Sequence, residues 1–525
     1  MKKYLIKYNI YIILAFLVAV SYFAFLYYYR DSQKNLLYAD AISRLDISRK
    51  VVDNITPGIP QIGNVWLPLP QLAMLPFIWN DYMWHSGLAG YLLSGSCFIL
   101  TGLLIFKSAQ LITKSFLASL FSVLIFALNI NILYLQTTAM SESIFLLSLA
   151  ATIYFFLKWF HTSEKSALVW ASLSVSAMTL IRYEGLAILI PSIPLVAFYS
   201  FIKTRSKGET EGNTIMYSVV ALLGFGLWTL YLAVIFGNPL YWRDYYATPQ
   251  ATGGAVKAFT QAKPFTVAFM QYFTSFAWMN GIIPTTMAIL AIPIMVFTCI
   301  RKKSWDFLVL LMPFAIYLFM VLTLMRNTPI VQPDLTLQNI LSGTTSEGTG
   351  FNIRYGLLLL PWVAVLCSYL LIWRNKYIHP ILFVILIGIF GVQIYSYVNP
   401  QYTVIYKIPA RIYNKPFAKS VNWLQKNYDG GKILISAGSQ EDQMFATGFD
   451  YKTFIHEGTG KYWKESMNNP SRYAKWVVMD YGHSSDNVAR QMNREDILKR
   501  EYKLVYQENQ LKIYKKINAP YYKIN

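Results

Sequence analysis

Long apolar runs separated by short polar connections fill the first 400 positions of the chain. A helix rises about 1.5 Å per residue, so about twenty apolar residues cross the hydrocarbon core of a bilayer. The pattern therefore predicts a polytopic α-helical membrane protein with about eleven transmembrane helices. The apolar runs cover about 8–29, 87–106, 116–133, 143–157, 167–181, 186–202, 214–236, 282–300, 307–325, 356–373 and 381–398.

Clusters of lysine and arginine follow alternate runs and also precede the first one; the sequence 301–303 is an example. Cytoplasmic loops of membrane proteins accumulate these residues. The alternation predicts a cytoplasmic N-terminus in the plasma membrane and an extracytoplasmic location for everything after Asn399. The outward connections are the long ones, at 30–86, 237–281 and 326–353. We therefore expect the working surface to be extracytoplasmic.

The first outward loop contains a helical pattern over 36–54, with apolar residues at a spacing of three to four. Charged residues stand between them, which is typical of a helix lying in the membrane interface. Asp40 and Arg44, and likewise Asp46 and Lys50, are four residues apart, so either acid is explained by a surface ion pair. A carboxylate at a defined place can also serve as a general base.

A second apolar stretch in the same loop opens with Trp66-Leu67-Pro68-Leu69-Pro70 and extends to Trp79. Proline favours the first turn of a helix, and tryptophan favours the membrane interface. The stretch therefore predicts a second helix in the plane of the membrane.

The composition fits this membrane assignment. Of the 525 residues, 55% are hydrophobic and only 14% are charged, against about a quarter charged in soluble proteins. The net charge of +20 comes mostly from cytoplasmic loops and the last quarter of the chain, so we do not expect nucleic-acid binding. Cys97, Cys299 and Cys367 all lie in apolar runs, and no disulfide framework is predicted. The first apolar run is too long for a cleavable signal peptide and is expected to be an anchor.

An acidic residue also starts the fourth run, in the sequence Met140-Ser141-Glu142. The N-terminus of a helix favours a carboxylate, and Ser141 can cap it, so a plain helix start explains both residues. The alternative is that Glu142 is a second functional carboxylate near Asp40, where it accepts from a hydroxyl group of a ligand or shares a metal ion.

Arginine and tyrosine stand together at two further outer edges, as Arg182-Tyr183 and Arg354-Tyr355. Both residue types are common at membrane interfaces. Arginine also presents a fork of donors that matches phosphate oxygens. Both arginines, and also Arg243, are therefore candidates for binding a phosphate group.

The composition after Tyr402 is that of a soluble domain. We predict a helix at 416–427, strands at 432–436 and 476–479, and a hairpin of strands 502–506 and 511–515. This alternation favours a small α/β domain. Gly438-Ser439-Gln440 is a weak candidate for a phosphate loop, and Asp480 is read as part of a strand-to-loop turn.

Several of these motifs together resemble the GT-C superfamily of membrane glycosyltransferases. The first loop with Asp40, the Trp-Leu-Pro-Leu-Pro run, Met140-Ser141-Glu142 and both Arg-Tyr pairs are similar to those of the dolichyl-phosphate-mannose protein mannosyltransferase and aminoarabinose transferase (glycosyltransferase family 39-like) group. The resemblance covers most of residues 1–400. Many relatives carry Asp-Glu where this chain has Asp40-Ala41, so the second acid of that doublet is missing.

The resemblance implies a GT-C transmembrane catalytic domain over 1–400 and an extracytoplasmic α/β domain over 401–525. It implies an inverting glycosyltransferase that moves a sugar from a polyprenyl-phosphate donor to an acceptor hydroxyl on a glycan, lipid or protein. Asp40 and Glu142 would be catalytic, and together they could hold a divalent cation such as Mg²⁺ or Mn²⁺. The implied substrate-binding residues are Arg182, Glu184, Arg354, Tyr355 and Arg243.

A transporter, such as a flippase for lipid-linked sugars, is the alternative from another class. Transporters place ionisable residues at mid-membrane, often in two repeated halves. Here the acids and arginines gather at one face, and the sequence contains no evident internal repeat. A non-catalytic scaffold would have no reason to carry convergent acids in its outer loops.

Overall fold

The computed structural model describes residues 2–30, 34–246, 264–326, 353–372, 417–492 and 495–517, with isolated positions between 381 and 404. Contacts divide the chain into two compact units. The first unit contains residues 1–35, 64–70 and 91–407, and the second contains 36–63, 71–90 and 408–525. Most of the first outer loop therefore groups with the C-terminal residues rather than with the apolar helices.

Helices make up nearly all of the first unit. They are α1 (Lys2–Arg30), α5 (Leu88–Thr113), α6 (Phe116–Ala127), α7 (Ile130–Leu135), α8 (Glu142–Thr162), α9 (Lys165–Thr179), α10 (Leu186–Thr204), α11 (Lys207–Phe236), α12 (Tyr241–Tyr246), α13 (Phe265–Asn280), α14 (Ile282–Lys302), α15 (Asp306–Leu311), α16 (Phe314–Met325) and α17 (Leu360–Cys367). Two 3₁₀ segments, Ile353–Leu359 and Ser368–Leu371, flank α17.

Eight helical segments among the described residues are long and apolar enough to cross a membrane. They are Asn9–Tyr29, Leu88–Thr113, Glu142–Thr162, Tyr183–Thr204, Lys207–Phe236, Ile282–Lys302, Asp306–Met325 and Ile353–Leu371. Each coincides with a predicted run, which confirms the polytopic helical fold. Half of the eleventh run, 381–398, lies outside the described residues, and its described positions are helical.

The third predicted run is not one continuous helix. It breaks into α6 and α7 at Asn129, whose side chain accepts hydrogen bonds from the backbone N–H groups of Asn131 and Ile132. The Asn129 amide also donates to the carbonyl of Met279 at 2.8 Å. Asn129 therefore caps the start of a new helix. The apolar periodicity by itself predicts one continuous helix across this position.

Helix α13 lies in a segment that we expected to be an outward loop. Its sixteen residues include apolar side chains buried against α16 and the 3₁₀ segment Ile353–Leu359, with Tyr272 and Met279 fully buried. It is too short to count as a membrane span, which is why the sequence pattern missed it.

The two ends of α8 carry different groups of residues. Glu142 is at its start, and His161, near its end, lines a cavity of about 520 Å³. Lys114, Lys203 and Lys302, which follow three different predicted spans, line the same cavity. The 21 residues of α8 extend over about 30 Å, close to the thickness of a hydrocarbon core. The lysine-bearing ends of these helices therefore meet at the end of the bundle opposite to Glu142.

The second unit is an α/β fold with a five-stranded sheet in the order β2-β1-β3-β5-β4. The strands are β1 (Lys432–Leu434), β2 (Phe454–Ile455), β3 (Ala474–Asp480), β4 (Tyr502–Glu508) and β5 (Leu511–Lys516). β1 pairs in parallel with β2 and β3, and the β4–β5 hairpin adds antiparallel to β3. The helices of this unit are α2 (Ala39–Val52), α4 (Asp81–His85), α18 (Phe417–Asn427), α19 (Ala437–Thr447), α20 (Lys461–Asn468), α21 (Asn487–Gln491) and α22 (Glu495–Glu501); α3 (Leu69–Ile78) joins the units along the chain.

The predicted strands and hairpin are confirmed, and β2 is an addition. Helix α2 differs from the expectation of an interfacial helix with a solvated polar face. Its charged residues Arg44, Asp46, Arg49 and Lys50 are all buried, because α2 is a core helix of the second unit. Three-to-four spacing of apolar residues identified the helix but not the partners of its polar side.

Candidate functional site

Glu142 is the centre of a buried charge cluster in the first unit. Its Oε1 accepts from Arg182 Nη1 at 3.1 Å and lies 3.0 Å from Arg354 Nε. The Glu142 side chain is fully buried, and both arginine side chains are less than a tenth exposed. Three positions from separate sequence motifs, up to 212 residues apart, thus meet around one carboxyl oxygen.

Two more predicted residues complete this group. Arg182 Nη2 donates to Glu184 Oε1 at 2.8 Å, and its guanidinium carbon lies 4.4 Å from the ring centroid of Tyr355. The guanidinium of Arg354 lies 5.7 Å from the same ring. Arginine over an aromatic face is stabilised electrostatically, more so where water is excluded. We call Glu142, Arg182, Glu184, Arg354 and Tyr355 the arginine–glutamate cluster.

The cluster balances two guanidinium groups against two carboxyl groups. Buried charges are tolerated only when they are paired and hydrogen-bonded, since desolvation is costly. Removing one member would leave an opposite charge buried without its partner, so the cluster is expected to be rigid.

The Arg182 turn is held by contacts on both sides. The N–H of Leu69, from the Trp-Leu-Pro-Leu-Pro run, donates to the Leu180 carbonyl at 3.0 Å, and the Tyr183 hydroxyl donates to the Val65 carbonyl at 2.9 Å. A methyl group at Gly185 would lie 2.6 Å from the backbone carbon of Met178. Glycine is therefore needed for this turn to pack against the end of α9.

The Arg354 turn is held by α13, the helix that the sequence pattern missed. Ser275 donates to the Ile353 carbonyl at 2.9 Å, and Tyr272 donates to the Tyr355 carbonyl at 3.1 Å. Asn280 donates to the Gly356 carbonyl at 2.8 Å. Three side chains of α13 thus donate hydrogen bonds to three backbone carbonyls of the 3₁₀ segment Ile353–Leu359.

Two buried atoms on which the argument depends, Glu142 Oε2 and Arg182 Nε, have no hydrogen-bond partner among the residues that the structure describes. Buried polar groups are normally satisfied, so an unsatisfied acceptor beside an unsatisfied donor is a place where a polar ligand fits. The arrangement can receive a hydroxyl group at Glu142 and a phosphate or hydroxyl oxygen at Arg182.

Two details of the outer turns differ from the sequence-based expectation. Ser141 does not cap α8; its hydroxyl accepts from Arg182 Nη1 at 3.2 Å, so it supports the cluster instead. Arg243 lies on α12, well exposed, and pairs with the adjacent Asp244 at 3.2 Å. The structure does not bring Arg243 into the arginine–glutamate cluster.

Asp40 belongs to the second unit, where it occupies the first turn of α2 and is half-buried. An acid in the first turn of a helix is stabilised by the helix dipole. Asp40 remains the predicted catalytic base.

Asp46 is not part of a surface ion pair, and that prediction was wrong. Its side chain is fully buried and accepts from Trp84 Nε1 at 2.9 Å, while Lys50 pairs with Glu441 at 2.7 Å. Burial, with the neighbouring Glu441 carboxylate, holds the pKa of Asp46 well above its usual range. The spacing of four residues was right for an ion pair, but tertiary partners almost 400 positions away replaced it.

The candidate phosphate loop after β1 already holds an anion from the chain itself. The Ala437 N–H donates to Glu457 Oε2 at 2.8 Å, and Ser436 donates to Glu457 Oε1 at 2.6 Å. A carboxylate therefore fills the place at the start of α19 where a phosphate would bind. Asp480 accepts from the Gly482 N–H at 2.9 Å, as expected for a strand-to-loop turn.

A metal centre has weaker support. No group of three or more histidine, cysteine, aspartate or glutamate side chains that could hold a metal ion occurs among the described residues. The two acids for which a divalent cation was considered, Asp40 and Glu142, lie in different units.

Sequence reasoning found the five members of the cluster but not the residues that hold them. Ser275 and Asn280 were not predicted, because α13 lies in the predicted outward connection 237–281. Polar residues spaced along an otherwise apolar stretch, as in Gln271, Thr274, Ser275 and Asn280, are the signal that would have shown a buried helix with bonds to make.

Taken together, the chain is a polytopic α-helical protein with helices of membrane-spanning length and a small α/β unit. No family model and no curated protein sequence matches it. Among solved structures it is similar to ArnT from Cupriavidus metallidurans in the apo state, with 13% identity, a TM-score of 0.46, and coverage of 95% of this chain and 97% of that one. It is also similar to the Archaeoglobus fulgidus oligosaccharyltransferase in complex with Zn and sulfate, with 8% identity, a TM-score of 0.45, and coverage of 89% and 68%.

Proposed function

We propose that the protein is a GT-C glycosyltransferase that uses a polyprenyl-phosphate sugar as its donor. In this proposal it transfers the sugar, with inversion, to an acceptor hydroxyl on the extracytoplasmic face of the plasma membrane. The acceptor is a glycan, lipid or protein. The observation that carries the proposal is the arginine–glutamate cluster, because residues selected from three separate motifs meet in one buried group.

The cluster suits a lipid-linked donor for an electrostatic reason. A sugar phosphodiester carries one negative charge, and a surplus of uncompensated arginines would be costly to bury before the donor arrives. Glu142 and Glu184 neutralise and orient the guanidinium groups, and Arg182 Nε stays open to a phosphate oxygen. As the polyprenyl phosphate leaves, such preorganised donors stabilise the charge that develops on it.

The carboxyl groups have separate roles in this scheme. Asp40 takes the proton of the acceptor hydroxyl, and the acceptor oxygen attacks the anomeric carbon as its bond to the phosphate oxygen breaks. Glu142 Oε2, which needs a donor, accepts from a hydroxyl group of the bound sugar. Dependence on a divalent cation such as Mg²⁺ or Mn²⁺ is a further part of the proposal, and it is tested by loss of activity with EDTA and its restoration by either ion.

Transfer assays with membranes that contain the full-length protein test the proposal. Radiolabelled polyprenyl-phosphate sugars of several kinds would be supplied, and glycosylated acceptor would be measured. Asp40→Asn should bind donor normally but lower the transfer rate by roughly 10²- to 10⁴-fold, as expected when a general base is lost. Asp496→Asn, which removes one acid of an exposed pair with Arg500, is the matched control and should transfer at the normal rate.

Two outcomes would contradict the proposal in different ways. Full activity of Asp40→Asn would move the base to another acid and leave the transferase in place. Wild-type protein that moves donor across the membrane without forming any glycosidic bond would favour the flippase instead.

A further inference from the structure

The second unit contains a polar cavity at the carboxyl ends of its parallel strands. The cavity has a volume of about 360 Å³, within the range of about 300–1,000 Å³ typical of small-molecule sites. Residues that follow β1 and β3 form much of its wall, including Ser439, Gln440 and Gly482. The loop between β4 and β5 closes another side with Gln510.

The position of this cavity in the sheet is the one where open α/β sheets bind ligands. The chain leaves β1 for β2 on one side and then returns to β3 on the other side. Strand order thus reverses at β1, and a crevice forms outside the carboxyl ends of β1 and β3.

Two buried glutamine side chains in the wall of the cavity each present an oxygen acceptor that can receive a hydrogen bond from a ligand. Gln440 is only 4% exposed, and its Nε2 donates to Asp486 Oδ2 at 2.8 Å, which fixes Oε1 as the remaining acceptor. Among the described residues, Gln440 Oε1 has no partner, and neither has Oε1 of the buried Gln443. An unsatisfied buried acceptor costs stability, and a ligand that donates to it recovers that cost.

The charges on the wall exclude some ligand classes. Asp442, Asp480 and Glu508 line the cavity. Lys419, which lies 3.5 Å from Glu508, is well exposed and does not line it. An acceptor-rich, acidic wall repels phosphates and other anions. A divalent cation is also disfavoured, because no triad of possible ligands occurs in the described parts of the chain.

We propose that this cavity is a binding site for a neutral saccharide, whose hydroxyl groups donate to Gln440, Gln443 and the carboxylates. Its volume suits one or two sugar rings rather than a long glycan. Its role as an acceptor-recognition site rests on the proposed transferase function, whereas the binding itself does not.

Binding would be measured on the full-length protein in nanodiscs, without donor lipid, by saturation-transfer NMR and calorimetry. The probes are neutral methyl glycosides of common hexoses, with inorganic phosphate and a hexose 1-phosphate as anionic counterparts. At least one methyl glycoside should bind, and both anions should bind at least tenfold more weakly. Gln440→Met, which keeps the size but removes the acceptor, should weaken glycoside binding about tenfold. Gln507→Met, on the exposed face of β4 and outside the cavity, should change nothing.

Hydrogen exchange on the wild-type protein locates the site without any substitution. A bound glycoside should protect backbone amides at 437–443 and 481–483. Absence of binding for every glycoside, protection elsewhere in the chain, or tighter binding of phosphate would each overturn the proposal. These outcomes are distinct from failure of the transferase, because neither donor nor turnover enters the measurement.

Discussion

At the residue scale, the two arginines of the cluster differ from ordinary interfacial arginines in their burial and in the number of groups they engage. Arg182 contacts Ser141, Glu142 and Glu184 at once, through both terminal nitrogens. An interfacial arginine instead extends its head to water. This difference makes a conservative substitution informative.

Arg354→Lys should lower donor affinity and transfer rate by at least tenfold. An ammonium group on a flexible stem cannot reproduce the planar fork that lies against Glu142 and the Tyr355 ring. Titration of membranes with labelled polyprenyl-phosphate sugar measures the affinity, and Arg500→Lys, at an exposed position, is the matched control. Unchanged donor affinity in Arg354→Lys would show that only a positive charge is needed at this place.

Asp46 supports a prediction about pH. Its pKa in the folded protein is raised by burial and by Glu441, so the folded state holds the proton more tightly than the unfolded state does. This contribution to stability is full below the ordinary aspartate pKa of about 4 and is lost as the pH rises towards the raised pKa.

Asp46→Asn keeps an uncharged side chain beside Trp84 at every pH. The variant should therefore not lose stability in this way. The melting temperature of the variant minus that of the wild type should increase as the pH rises from about 4 to 8. Thermal unfolding in detergent, followed by tryptophan fluorescence, gives the comparison, with Asp496→Asn as control. A constant difference between variant and wild type across this range would mean that Asp46 ionises normally.

At the scale of elements, periodicity predicted which segments form helices and strands but not what they pack against. The β4–β5 hairpin and helix α18 follow directly from local patterns. Asn129, which starts α7, and Ser275 of α13 act through partners distant in sequence, which no local pattern encodes. For the same reason the cluster's members were predictable from motifs, while the pairing of Arg182 and Arg354 on one glutamate was not.

Close packing of α13 against the Arg354 turn depends on Gly356. A methyl group there would fall on the backbone carbonyl of Ser275, so Gly356→Ala should displace the turn. We expect a loss of about 1–3 kcal/mol in stability, typical of overpacking, together with a clear loss of transfer activity.

Gly226→Ala on α11 is the matched control, because a methyl group there meets nothing within 4 Å. Alanine is also favoured over glycine within a helix. Thermal unfolding and transfer assays on both variants check the prediction. Equal behaviour of the two variants would mean that α13 and the Arg354 turn can separate without consequence.

At the scale of the whole molecule, two groups of residues lie at opposite ends of the first unit. The arginine–glutamate cluster is at the start of α8, and the lysine-lined cavity is near its end. The alternation of basic loops in the sequence had placed these two groups on opposite sides of the membrane. A helix of membrane length separates them, as the alternation predicts; the cytoplasmic location of the lysines stays a prediction.

Cysteine labelling decides the orientation. The three native cysteines are buried and can be replaced, after which single cysteines are introduced at the exposed positions Lys207 and Lys503. Lys207 starts α11 next to a predicted cytoplasmic loop, and Lys503 lies in the C-terminal unit. An impermeant thiol reagent should label Lys503→Cys on intact cells and Lys207→Cys only after permeabilisation. Labelling of both positions from outside would mean that an even number of spans separates Lys207 from Lys503. The loop at Lys207 would then be extracytoplasmic, and the arginine–glutamate cluster would have to act on cytoplasmic substrates.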